Sequence, residues 1–230
     1  YLQKILRARV YDVAEETPLE KAKNLSKRFK NEIWFKREDL QPVFSFKLRG
    51  AFNRMTKLTK EELSKGVIAS SAGNHAQGVA LSASFLKCRS VIVMPLTTPI
   101  MKVRAVESHK AEVILFGETY DECYEKALEI SKEENLTFIH PFDDPEVIAG
   151  QGTIGLEILR QSHTPPDAIY IAVGGGGLIA GVSAYVKSIW PDTKIIGVEP
   201  EDACAMTLSI KAKKPVELES VGLFADGVAV

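Results

Sequence analysis

Only three cysteines and four histidines occur in the 230 residues of this chain. Cys88, Cys123 and Cys204 are odd in number and far apart, so no disulfide framework is expected and the thiols are read as reduced. His75, His109, His140 and His163 have no metal-ligand spacing, and no metal site is expected. No apolar run reaches the roughly 18 residues of a membrane helix, and no signal-peptide pattern is present. Neither charge sign is in excess: 29 basic and 30 acidic side chains leave a formal charge of -1, without like-charged blocks. That argues against nucleic acid and anionic membrane as partners. A P-loop lysine and a nucleophile elbow are also missing. What is present is an ordinary globular composition, 45% apolar and 26% charged, enough for one large domain or two small ones. The chain opens at Tyr1 rather than Met and reaches Val230 straight after an apolar run, as a fragment would.

Strand and helix patterns alternate almost throughout, which predicts an α/β fold with a mostly parallel sheet. Strands are expected at 33–36, 67–70, 90–94, 112–116, 137–140, 168–173 and 194–198. Helices are expected from Lys47, and over 75–86, 99–108, 120–134, 145–161 and 178–190. Thr59 and Glu62 form a capping-box pattern closed by Gly66, and Asp144-Pro145 is a helix start with proline in the first turn. Residues 55–141 form a compact run of β-α units. They read as a small domain inserted into a larger one built from 1–54 and 142–230, with ligand held in the crevice between them.

Three segments carry chemistry. In Ser45-Phe46-Lys47-Leu48-Arg49-Gly50-Ala51, Lys47 stands between two apolar residues at the start of a helix whose apolar face is Leu48, Ala51, Phe52, Met55 and Leu58. Burial and the positive helix end both disfavour its charged form. A neutral amine is a nucleophile that reacts with carbonyl carbon; an isolated lysine of this kind would instead be a surface group snorkelling to water. Gly174-Gly175-Gly176-Gly177 sits between a strand and a helix and would form an anion cradle of backbone N–H groups. Gly175, Gly177 and Ala180 also fit a dinucleotide fingerprint, with Glu199 at a suitable strand end. Ser70-Ser71-Ala72-Gly73-Asn74-His75 is a second strand-loop-helix junction, where Asn74 is either an amide donor to a ligand or a helix cap. Glu38-Asp39 read as a solvated charged loop, and Cys204 as a small core residue. A phosphate cradle, a desolvated lysine and a polar loop are the parts of a pyridoxal-phosphate site.

These segments, with Ala76-Gln77-Gly78 and Leu178, resemble the fold-type II pyridoxal-phosphate enzymes, most closely their biosynthetic threonine ammonia-lyase members. Pro141-Phe142-Asp143-Asp144-Pro145, Gly150-Gln151-Gly152-Thr153 and the run from Gly222 to Val230 support the match, which spans the whole chain. The resemblance implies two open, mostly parallel twisted sheets flanked by helices, and pyridoxal 5'-phosphate as cofactor. It implies Lys47 as the catalytic residue and covalent attachment point, and Phe46 against the pyridine ring. Asn74 would bond the ring hydroxyl, and Gly174, Gly175, Gly176, Gly177 and Leu178 would hold the phosphate. Ser71, Ala72, Gly73, Asn74 and His75 would hold the substrate carboxylate.

The expected activity is deamination of L-threonine, and less efficiently L-serine, to the keto acid and ammonia, as a step toward isoleucine. A homo-oligomer in the cytoplasm is expected, or in a plastid or mitochondrion if the source is eukaryotic. A serine racemase or catabolic dehydratase, and a non-catalytic cofactor- or dinucleotide-binding module, are the alternative readings. Serine racemases place a metal-binding acidic cluster near the position of Glu199; Ala205 replaces its acidic partner here, so the metal is not expected. Members of the family continue past Val230 with a Pro-Ser-Gly-Ala segment, a Ser-Gly-(Gly/Ala)-Asn loop and, in the biosynthetic enzymes, a regulatory domain.

Overall fold

The computed structural model describes residues 1–222 and 224–229. Leu223 and Val230, both in the run that supports the resemblance, lie outside the described residues. A short helix α1 (Leu2–Leu6) leads to strand β1 (Leu19–Lys21), helix α2 (Lys23–Phe29) and strand β2 (Trp34–Lys36). β1 and β2 pair antiparallel, Leu19 opposite Lys36. β1 has no sequence signal of its own: three residues are too few to show a period. A 3₁₀ turn at Glu38–Leu40 precedes α3 (Lys47–Met55) and α4 (Lys60–Lys65). α4 starts with the expected capping box of Thr59 and Glu62, and ends at Gly66 with φ 111°, a value only glycine adopts freely.

The next block alternates strand and helix: β3 (Val67–Ser70), α5 (Asn74–Leu86), β4 (Ser90–Met94), α6 (Ile100–Glu107), β5 (Glu112–Leu115), α7 (Tyr120–Glu133) and β6 (Thr137–Phe138). Its strands form a wholly parallel sheet in the order β5-β4-β3-β6. β3 and β4 are buried along their whole length, so their sequences are continuous apolar runs rather than alternating ones. The pleat still sends alternate side chains to opposite faces. Val67, Ala69, Ile92 and Met94 meet Ala76, Val79, Ala80 and Ala83 of α5 and Val103 and Val106 of α6. Ile68, Val91 and Val93 meet Cys123, Ala127 and Ile130 of α7 on the other face.

The last block holds α8 (Pro145–Gln161), β7 (Ala168–Ala172), α9 (Gly177–Ile189), β8 (Lys194–Val198) and α10 (Ala205–Ala212). β7 and β8 pair in parallel. The Asp144 side chain accepts the N–H groups of Glu146 and Val147 at the head of α8, a cap of about 1 kcal/mol. α8 is the central beam of the fold. A Cβ on Gly150 would lie 2.6 Å from the Arg49 carbonyl oxygen, and one on Gly181 would lie 2.3 Å from the Ile148 carbonyl oxygen. Only hydrogen at these positions lets α3 and α9 pack against α8 at backbone contact, one on each side.

One buried ionic cluster braces this arrangement. The fully buried Arg49 guanidinium reaches Glu38 Oε2 at 2.8 Å, Glu157 Oε1 at 2.5 Å and Thr153 Oγ1 at 3.1 Å. Lys36 also meets Glu157 at 2.5 Å, and the Tyr11 hydroxyl donates to it at 2.8 Å. Two cations and two carboxylates balance, as burial of charge demands. Glu38 is therefore not part of a solvated loop: its carboxylate is spent on Arg49, while Asp39 stays exposed beside Arg37. Cys204 is no core residue either, but a half-buried position at the head of α10.

Candidate active site

α3 begins at Lys47 and α9 begins at Gly177. Because both pack on α8, their N-terminal ends face one cavity. The cavity has a volume of about 80 Å³ and opens to solvent, and its walls include Phe46, Lys47, Gly174, Gly175, Gly176, Gly177 and Leu178. Among the described residues lining it, Lys47 is the one charged side chain. Its amine donates to the Pro141 carbonyl at 3.0 Å and lies 5.6 Å from the centre of the Phe46 ring. Desolvation by burial lowers its pKa to about 8, since no carboxylate offsets the loss of water.

The glycine run is neither a flexible turn nor a free-standing loop. Gly176 has φ 86° and caps α9, with no side chain bonding the helix end. Cβ atoms on Gly175 and Gly177 would lie 2.3 Å from the Phe142 ring and 2.7 Å from the Phe142 carbonyl oxygen. The lack of side chains thus lets Phe142 pack directly against the run. The first N–H donor of α9 with a backbone acceptor is Ala180, bonding Gly176. An uncapped helix end beside close-approaching glycines fits a phosphate.

α5 supplies the second uncapped end. A Cβ on Gly78 would be 3.0 Å from the backbone N and Cα of Leu48, so α5 packs directly on the start of α3. Gly73 N–H bonds the Ser71 hydroxyl at 3.2 Å, and a Cβ on Gly73 would meet nothing within 4 Å. Asn74 is exposed and takes no helix-capping role. Ser71, Ala72, Gly73, Asn74 and His75 do not line the main cavity; they sit at the head of α5 beside it.

His75 differs from the rest. Its side chain turns inward, with Nε2 bonding the Ile139 carbonyl at 2.8 Å. Burial, and then the charge of Lys47, push its pKa down to about 3. Its Nδ1 and the nearby Ser70 hydroxyl are buried without partners. Any contact from His75 to a bound carboxylate would come through its backbone N–H.

Glu199 is engaged at a helix end. Its carboxylate accepts the N–H groups of Met206 and Thr207 at 2.9 and 2.8 Å and caps α10. Pro141, Phe142 and Gln151, for which the sequence implies no site role, also line the cavity. Proline and phenylalanine carry no chemical signature, so only their packing reveals them. Gly227 and Val228 close another side, held near α6 by an exposed Lys102–Asp226 pair at 2.7 Å.

A desolvated lysine amine and an uncapped, glycine-rich helix end share one cavity of this α/β fold, an arrangement that would suit a phosphorylated carbonyl cofactor. The family model of pyridoxal-phosphate dependent enzymes matches residues 10–230, and the chain belongs to that family. It is 60% identical over 233 residues to the biosynthetic L-threonine dehydratase of Burkholderia multivorans, covering all of this chain and 46% of the relative. It is 62% identical over 230 residues to the chloroplastic biosynthetic threonine dehydratase of Arabidopsis thaliana, covering all of this chain and 39% of that protein. The chain thus spans less than half the length of these curated relatives. The processed form of threonine deaminase isoform 2 from Solanum lycopersicum superposes with a TM-score of 0.97 at 57% identity, covering all of this chain and 67% of that one. The expected fold class and cofactor agree with these findings.

Proposed function

We propose that the protein containing this chain deaminates L-threonine, and less efficiently L-serine, with pyridoxal phosphate as cofactor. The observation that carries the reading is the partly buried Lys47 amine, with a pKa near 8 and facing an uncapped glycine cradle. The N–H groups at Gly174 to Leu178 would hold the phosphate. Phe46 would back the pyridine ring, and Asn74 would bond its hydroxyl. Lys47 would be the attachment point and, when free, the base that takes the Cα proton at Nζ. The N–H groups from Ser71 to His75 hold the substrate carboxylate and so orient the Cα–H bond toward Lys47. The cofactor, when bound, supplies a ring that accepts the charge developing at Cα. Loss of the β-hydroxyl as water, followed by hydrolysis, gives 2-oxobutanoate and ammonia.

The relatives are named biosynthetic, and we take the route served to be that to isoleucine. We read the protein as a homo-oligomer working in the cytoplasm, or in a plastid where the source has one, as the chloroplastic relative does. We divide it into a large part, 1–54 with 142–230, and an inserted part, 55–141; the separate parallel sheets support that division.

The test is borohydride reduction in the presence of pyridoxal phosphate, followed by peptide mapping and a keto-acid assay with L-threonine. Label at Lys47, and loss of both label and keto acid in Lys47→Ala, are expected. Label confined to another lysine, or undiminished keto acid in the variant, would remove Lys47 from its role.

A further inference from the structure

The Lys47 amine rests on a carbonyl that belongs to a tight turn, and one side chain builds that turn. His140 Nδ1 accepts the Asp143 N–H at 2.8 Å and the Phe142 N–H at 3.3 Å. The imidazole ring is held edge-to-face against the Phe142 ring at 4.7 Å, and more distantly by Phe138 and Tyr124. The same turn presents two groups to the cavity: the Pro141 carbonyl to Lys47 Nζ, and the Phe142 ring to Gly175. Two N–H donors converging on Nδ1 require its lone pair, which puts the ring proton on Nε2. The charged and titratable groups around the ring are Asp143 and Asp144 on its own loop, Lys47 on α3, His75 on α5 and Tyr124 on α7. Burial lowers the His140 pKa against the pull of the two aspartates, so the ring keeps its lone pair at neutral pH.

We propose that His140 is a positioning residue: by folding residues 141–143 around Nδ1 it sets where the Lys47 amine rests and how closely Phe142 covers the glycine cradle. His140 acts through Pro141 and Phe142, not on the reacting atoms. The inference rests on the reading of Lys47 as the reactive amine, but its test needs no cofactor.

The experiment is competitive acylation of the cofactor-free protein with trace acetic anhydride across a pH series, reading Lys47 by peptide mass. The wild type should give an apparent pKa near 8. In His140→Leu the turn loses its acceptor and the amine moves toward water, so the apparent pKa should rise by about half a unit or more. His140→Asn supplies an amide oxygen to the same N–H groups, as Asx turns do, and should restore the wild-type value. An unchanged Lys47 pKa in folded His140→Leu, or a failure of His140→Asn to restore it, overturns the proposal. If His140→Leu does not fold, imidazole ¹⁵N NMR of the wild type decides: protonated Nε2 with bare Nδ1 supports the turn, and the opposite tautomer refutes it. A normal acylation profile without the borohydride label would sink the function reading while leaving this one standing.

Discussion

A Cβ placed on Gly150 would lie 2.7 Å from the Cα of Gly50, so α3 and α8 cross with their backbones touching. Gly152 and Gly181 do the same for α8 and α9, at 2.7 Å from a Gly181 Cβ to the Gly152 nitrogen. The two crossings bring the start of α3 and the start of α9 to one cavity.

Gly150→Ala should therefore be costly although alanine favours helices. The obstruction is backbone on both sides, which cannot swing away as a flexible side chain does. A loss of about 1–3 kcal/mol is expected from overpacking, read as the shift of a urea unfolding midpoint. Gly155→Ala on the same helix is the comparison: its Cβ would meet nothing nearer than 3.3 Å and should move that midpoint much less. Equal behaviour of the two variants would show that the helix crossing tolerates a wider spacing.

Lys47 should cost stability at neutral pH. Burial holds its folded pKa near 8, against 10.5 for an ordinary lysine. Between these values the unfolded chain carries a proton that the folded chain does not, so this group makes stability rise with pH across that window. Below about 8 its penalty is complete. Lys47→Met in the cofactor-free protein should be more stable than wild type at pH 7 by on the order of 1–3 kcal/mol. The gap should close as pH approaches 10.5. Urea titrations at both ends of the window measure it, and a gap independent of pH would contradict the desolvation argument.

Asn74→Ala should separate binding from folding. Asn74 is exposed and caps nothing, so the unfolding midpoint of the cofactor-free protein should not move. Pyridoxal phosphate should bind more weakly, by about 1–2 kcal/mol for a lost hydrogen bond, measured by equilibrium titration. Unaltered affinity would take Asn74 out of the proposed site.

Much of the fold is legible in local pattern. The capping box at Thr59, the proline start of α8 and the continuous apolar strands β3 and β4 each depend on residues within a few positions of one another. β1 escapes a sequence reading because three residues carry no period, and α1, α2 and α10 because helices of 5, 7 and 8 residues span barely two turns. The same holds for the site. Lys47 and the four glycines stand out from their neighbours and Phe46 follows from the family resemblance, but the cavity positions of Pro141 and Phe142 come only from packing.

The sequence alone determined which residues could do chemistry: an amine at a helix start between apolar neighbours, and a glycine run where a strand meets a helix. Those choices need only local sterics and helix-end electrostatics. Tertiary structure alone decided which candidates were free to do it. Glu199 is consumed as a helix cap, Glu38 is consumed by Arg49, and the His75 ring is turned inward to Ile139. The physical reason is that a side chain's hydrogen bonds and hydration are settled by the partners folding brings to it, whether Met206 seven positions from Glu199, Ile139 64 positions from His75 or Glu157 108 positions from Arg49. The apolar and glycine patterns that mark the elements do not name those partners.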